Sequence, residues 1–221
     1  MGAGSCEFSV AIGHAILKGH EMKGDEMDFD ALLREVGALK DGHFVLSSGR
    51  HSDRYVEKFD LLRQPAAAER ACAALIDLLP ETDGIDVVAG PTTGGILLAF
   101  EVARQLKLPA AYAERSEGGS LAREFRRGTT FPPGARVLVV DDILTTGGSV
   151  RETLAALGAH DVQPVAVAVL VDRSGGTVSF GLPLISLSHM TIETWEPEDC
   201  PLCRDGLPIT KPGTTGSAGV A

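Results

Sequence analysis

Along the chain, short apolar runs alternate with longer stretches whose apolar positions recur every three or four residues. The runs "DVVAG" (Asp86–Gly90), "PAAYAE" (Pro109–Glu114), "RVLVV" (Arg136–Val140), "QPVAVAVLVDR" (Gln163–Arg173) and "PLISLSHM" (Pro183–Met190) have the length and composition of buried strands. Helical spacing predicts helices from Pro65 to about Leu79, in "PTTGGILLAFEVARQL" from Pro91, and from about Thr146 to Leu157. An amphipathic helix opens after Met27, with Asp28 or Asp30 as its N-cap. Gly42–Phe59 alternates apolar and polar positions around a Ser-Ser-Gly turn, which predicts a hairpin-like or extended segment.

Short strands alternating with helices imply right-handed crossovers and an α/β fold, a mostly parallel sheet flanked by helices on both faces. Ligands bind such sheets beyond the carboxyl ends of the strands, where the Gly-rich turns of this chain fall. Arg115–Gly134 breaks the pattern, being rich in Gly, Arg and Pro without apolar periodicity. Loops of that length inside compact domains are usually functional or disordered.

At 221 residues the chain suits one domain with appendages, large enough to build a core without disulfides or a structural metal. Residues 1–26 have no basic run ahead of their mildly apolar stretch and read as a loose extension; 27–206 read as the folded domain and 207–221 as a flexible tail. The net charge of −10 argues against a general nucleic-acid binder, which needs clustered cations. No apolar run reaches the roughly 18 residues of a membrane span. Cys6, Cys72, Cys200 and Cys203 are too scattered for a secreted disulfide framework, so reduced thiols and a cytoplasmic location are expected.

The densest chemistry lies in "VLVVDDILTTGGS", Val137–Ser149. If the strand ends at Val140, Asp141 and Asp142 project at the lip of the sheet, because a strand buried on both faces has no room for carboxylates. Thr145, Thr146, Gly147, Gly148 and Ser149 then turn into the next helix, whose free N–H groups and small side chains suit a phosphate. Acids beside an anion cradle are reconciled by a sugar phosphate, whose hydroxyls donate to the carboxylates while the amides hold the phosphate. A ligand-free strand, turn and capped helix would carry the same residue types.

This stretch resembles the phosphoribosyl-pyrophosphate signature of type I phosphoribosyltransferases at every position. The wider chain, from about Phe29 to Gly206, is similar to the orotate phosphoribosyltransferase family in "GHFVLSSGRHSDRY", "VVAGPTTGGILLA" and "VAVLVDRSGG". The resemblance implies a small N-terminal hood, a flexible arginine-rich loop, and transfer of phosphoribose to orotate with Mg²⁺ bound mainly through the substrate pyrophosphate. It implies a homodimer with the lid acting across the interface. Asp141 and Asp142 would position the ribose, Thr145–Ser149 the 5′-phosphate, and Thr92, Thr93 and Gly94 the pyrophosphate. Arg173 would pair with the orotate carboxylate, a role that suits a bidentate guanidinium. Thr145, Ser48 and Gly49 would lie at the base.

Three departures from the family bear on the chemistry. Ser47 and Gly94 stand where lysines are common, and the lid "ERSEGGSLAREFRRG" has neither Lys nor His. Arg115, Arg123, Arg126 and Arg127 are then the local candidates to stabilise the leaving pyrophosphate, with Arg115 the first choice as catalytic residue. The same signature would serve a phosphoribosyltransferase for another nucleobase, or a regulator that binds phosphoribosyl pyrophosphate without turnover. "CPLC", Cys200–Cys203, supplies half a zinc site; without a second cysteine pair, a reduced metal-free knuckle is expected, with His189 or a partner subunit as the alternative source of ligands.

Overall fold

The computed structural model describes residues 27–80, 82–116 and 122–212. The extension expected at 1–26, residues 213–221 of the tail, and the tip of the arginine-rich loop lie outside the described residues. Helix α1 (Phe29–Glu35) begins at Asp28, whose side chain accepts a hydrogen bond from Ala31 N at 2.9 Å; Asp30 instead accepts from Ser188 Oγ. Strands β1 (Leu39–Val45) and β2 (His51–Val56) form an antiparallel hairpin, the hood expected from the sequence. A short helix that periodicity did not announce, α2 (Lys58–Leu62), leads to α3 (Pro65–Asp77).

The remaining elements are β3 (Val87–Pro91), α4 (Gly94–Leu106), β4 (Ala110–Arg115), β5 (Arg123–Phe125), β6 (Ala135–Leu144), α5 (Gly148–Leu157), β7 (Val162–Asp172), β8 (Leu184–His189) and α6 (Pro201–Arg204). They build one sheet in the order β5-β4-β3-β6-β7-β8, parallel except for β5 at the edge. The stretch read as an arginine-rich loop therefore contains a strand, because Arg123–Phe125 pairs with Ala113–Arg115.

Alternation along β6 sorts its side chains between two cores. Leu138 and Val140 face the core built with α1, α3 and α4, whereas Val137 and Val139 face the one built with α5. Leu138 is fully buried, so cutting it to Ala would cost about 2–5 kcal/mol. Connections from β3 and β6 thus leave toward opposite faces. Adjacent strands that diverge in this way open a crevice at their carboxyl ends.

One expectation needs correction. β6 does not end at Val140 but runs to Leu144, its register with β7 continuing through Asp141↔Val169 to Leu144↔Asp172. Asp141 and Asp142 are consequently buried, at 7% and 3% exposure, within the strand rather than projecting from its end.

The C-terminal segment embraces the hood. Trp195 pairs with His51 and Thr210 pairs with Phe44, so both edges of the hairpin are covered. Of the tail expected from 207, residues 207–210 are tied back to β1 by these bonds. Among the described residues no helix is long and apolar enough to cross a membrane.

Candidate active site

Where β6 ends, a cavity of about 210 Å³ is lined by Arg115, Asp141, Thr145, Thr146, Gly147, Gly148, Ser149 and Glu152. Gly147 caps α5 in the left-handed region at φ 77°, and no side chain caps the helix. A Cβ at Gly147 would also sit 2.9 Å from Val178, so glycine is required twice over. The first amides of α5 are thereby left for an anion.

The second helix start at this sheet edge is that of α4. Thr93 is its N-cap without a side-chain hydrogen bond, and the Thr92–Thr93 peptide is cis. A Cβ on Gly94 would lie 1.8 Å from Asp142 Oδ2, so the Thr92–Gly94 turn and the acid signature meet here. Any side chain at position 94, lysine included, would require the carboxylate or the helix start to shift.

Lys58, at the start of α2, reaches the same carboxylate. Its Nζ donates to Asp142 Oδ1 at 3.0 Å and lies 2.9 Å from Oδ2, an ionic approach without hydrogen-bond geometry at the second oxygen. The sequence reading missed Lys58; the signal available was a lysine soon after the hairpin in a chain lacking lysine at 47 and 94.

Burial raises the Asp141 carboxyl well above the usual carboxylate range, and the neighbouring Asp142 charge adds to the effect. Asp141 Oδ1 accepts from Asp142 N at 2.9 Å, and Asp142 Oδ1 accepts from Ile143 N at 2.7 Å. Alternation along β6 turns Asp141 to the cavity and Asp142 to the Gly94 turn.

The loop arginines divide into different roles. Arg115 lines the cavity. Arg123 is buried and spoken for: Nε meets Glu152 at 3.0 Å, and Nη1 donates to Thr92 Oγ1 at 2.9 Å and to Ala113 O at 3.0 Å. It braces the Thr92 turn. Arg127 makes two bonds to Glu114, and Arg126 lies 3.7 Å from Glu124, so both are turned to carboxylates.

Arg173 follows β7, its backbone N–H bonded to Leu144 O at 2.7 Å beside the end of β6. Its Nε is buried without a hydrogen-bond partner among the described residues, and desolvation pushes the guanidinium below its ordinary value. A partly desolvated guanidinium with no carboxylate partner among the described residues is poised for an anionic ligand. Ser48 and Gly49 sit in the hairpin turn, where their described hydrogen bonds stay local: Gly49 N to Leu46 O and Arg50 N to Ser48 Oγ. Arg50 binds Thr194 and Glu196, fastening that turn to the C-terminal segment.

Comparison with known proteins agrees with this geometry. The family model for the phosphoribosyl transferase domain matches residues 60–179. An orotate phosphoribosyltransferase from Caldicellulosiruptor bescii is 46% identical over 183 residues, 83% of this chain and 94% of the relative. One from Thermotoga maritima is 43% identical over 185 residues, covering 84% and 97%. The crystal structure of orotate phosphoribosyltransferase from Aeropyrum pernix superposes with a TM-score of 0.62 at 30% identity, over 72% of this chain and 92% of that one. The two cradles at the divergence of β3 and β6 are thus those of a shared architecture, and the chain belongs to the type I phosphoribosyltransferases, in the orotate phosphoribosyltransferase family.

Proposed function

We propose that the protein transfers phosphoribose from phosphoribosyl pyrophosphate to orotate, giving orotidine 5′-phosphate and pyrophosphate in UMP biosynthesis. The observation that carries this reading is the cavity shared by Asp141, Thr145–Ser149 and Arg115, with the Gly94 turn against Asp142. The amides of the α5 start hold the 5′-phosphate, and Asp141 and Asp142 accept from the ribose hydroxyls.

As pyrophosphate leaves, positive charge develops at the anomeric carbon and negative charge on the departing oxygens. The paired acids face the first, and the α4 start with Arg115 faces the second. Lys58 sets its ammonium against Asp142 and fixes the position of that carboxylate. Arg173 receives the orotate carboxylate, with Thr145 beside the ring. No general base is assigned, since the pyrimidine can bind already ionised.

Mg²⁺ fits the site only as a companion of the substrate. Two carboxylates and a few hydroxyls fall short of an octahedral oxygen shell, so pyrophosphate and ribose oxygens would supply the remainder, with Asp141 and Asp142 nearby. When bound, the ion neutralises charge on the leaving group.

A homodimer in the cytoplasm completes the reading. Leu97 and Phe100 expose 45% and 63% of their surface on α4, an apolar pair that a second copy would cover. The acidic net charge favours no nucleic-acid partner. The test is a spectrophotometric assay of orotate with phosphoribosyl pyrophosphate and Mg²⁺, with Asp142→Asn and Arg173→Ala alongside. Orotate consumption that is lost in both variants is expected; no consumption by the unmodified protein would sink the assignment.

A further inference from the structure

Away from the cavity, β1, β2 and the C-terminal segment bring together four side chains that the phosphoribosyl chemistry does not use. His43 lies on β1, His51 opens β2, Cys200 caps α6 and Cys203 lies within it. His43 and Cys200 are 157 residues apart in sequence. His189, the alternative ligand weighed from the sequence, is engaged elsewhere, 3.1 Å from Ser186 Oγ and 3.5 Å from Asp172.

We propose that His43, His51, Cys200 and Cys203 bind a zinc ion that clasps the hood hairpin to the C-terminal segment. One ligand atom from each lies within 4.8 Å of all the others. The separations are 3.0 Å between His43 Nε2 and His51 Nδ1, 3.4 Å from Cys200 Sγ to His43 Nε2, and 3.7 and 3.3 Å from Cys203 Sγ to His43 Nε2 and His51 Nδ1. Zinc bonds of ~2.3 Å to sulfur and ~2.0–2.1 Å to nitrogen give a tetrahedron with edges of about 3.3–3.8 Å. These four separations match such edges to within a few tenths of an ångström, and the remaining two pairs lie within 4.8 Å.

The outer hydrogen bonding agrees. His43 Nδ1 lies 2.9 Å from Leu207 O, and a carbonyl only accepts, so Nδ1 carries the proton. In the neutral ring the Nε2 lone pair then points into the cluster, the arrangement by which a backbone carbonyl orients a metal-ligating histidine. His43, His51 and Cys200 are buried, at 3%, 5% and 0% exposure, and two thiolates with two imidazoles select zinc among common divalent ions by tetrahedral geometry.

The clasp has a structural consequence. The two histidines flank the turn that bears Ser48, Gly49 and Arg50, and the two cysteines anchor the segment that pairs with both edges of the hairpin. A metal at the junction fixes the hood through four bonds that no local sequence preference supplies.

The competing account is a metal-free network of thiols and imidazoles, and metal analysis separates the two. Full-length protein purified without chelators should contain about one zinc per chain. A Cys200→Ser/Cys203→Ser double variant should fall below about a tenth of that, whereas Cys72→Ser, altered at a buried thiol on α3, should keep it. If the double variant does not fold, the decision passes to reduced wild type stripped of metal and titrated with Co²⁺. A tetrahedral cobalt spectrum with a thiolate charge-transfer band, saturating near one equivalent and displaced by Zn²⁺, supports the site. Absence of that spectrum in folded, reduced wild type, or full zinc content in a folded double variant, overturns it. Neither readout depends on turnover.

Discussion

Lys58 Nζ lies within 3.0 Å of both carboxylate oxygens of Asp142, across 84 residues of sequence, and a Cβ on Gly94 would lie 1.8 Å from the same carboxylate. The pair joins the end of the hood to the acid signature. Asp142 is 4% exposed at its side chain and Lys58 is 37% exposed, so the carboxylate is the dependent partner.

Lys58→Ala leaves Asp142 buried without its cation. Allowing for partial solvent screening of the lysine, a loss of ~1.4–3 kcal/mol in transition-state stabilisation corresponds to roughly a 10- to 150-fold fall in kcat/KM. Steady-state kinetics with varied phosphoribosyl pyrophosphate measure this. A change below about twofold would remove Lys58 from the site.

Gly94→Ala tests the same contact from the other side. A methyl 1.8 Å from Asp142 Oδ2 forces the carboxylate or the helix start to move. Overpacking of this kind costs about 1–3 kcal/mol, and kcat/KM should fall with it. Thermal unfolding and kinetics on the same preparation follow both quantities.

Arg173→Ala should separate binding from folding. Removing the guanidinium deletes the carboxylate contact, raising KM for orotate by about 30-fold or more, equivalent to ~2 kcal/mol or above. Because Nε has no hydrogen-bond partner among the described residues, Tm should hold or rise. A large drop in Tm would place Arg173 in the fold rather than at the base.

Arg115→Ala and Arg123→Ala should behave differently. Arg115 lines the cavity, so its loss should lower kcat while leaving Tm near wild type. Arg123→Ala strands the partly buried Glu152 and frees Thr92, which should destabilise by about 3 kcal/mol or more as seen by thermal or denaturant unfolding.

Asp141 supplies a pH signature. Its carboxyl is pushed up to about 7 by burial and the Asp142 charge, against 3.8 ordinarily. The native state therefore holds a proton that the unfolded chain has released, and the resulting stabilisation is complete below about 3.8 and lost as pH rises through about 7. Asp141→Asn should raise Tm relative to wild type by more at about pH 8 than at about pH 5, at roughly 2–4 °C per kcal/mol relieved. Equal shifts at both values would show that Asp141 is ionised throughout.

Much of this architecture was legible in the sequence because it is written in local period and composition. The strands at Val87, Ala110 and Val162 and the helices at Pro65 and Gly94 fall close to where their spacing places them. β5 and α2 were not legible, since three and five residues are too few to show a period and their order comes from neighbours.

The sequence by itself determined the turn proposed as the phosphate cradle, because Thr145–Ser149 are consecutive residues leading into one helix start, and chain order alone brings them together. It also placed two acids beside that cradle. Only the tertiary structure decided that those acids are buried in a strand extending to Leu144, that Lys58 pairs with Asp142, and that Arg123 is a brace. It alone assembled His43 and His51 with Cys200 and Cys203. Each of these relations links residues far apart in sequence, and sheet pairing and core burial set their distances, which no local pattern encodes.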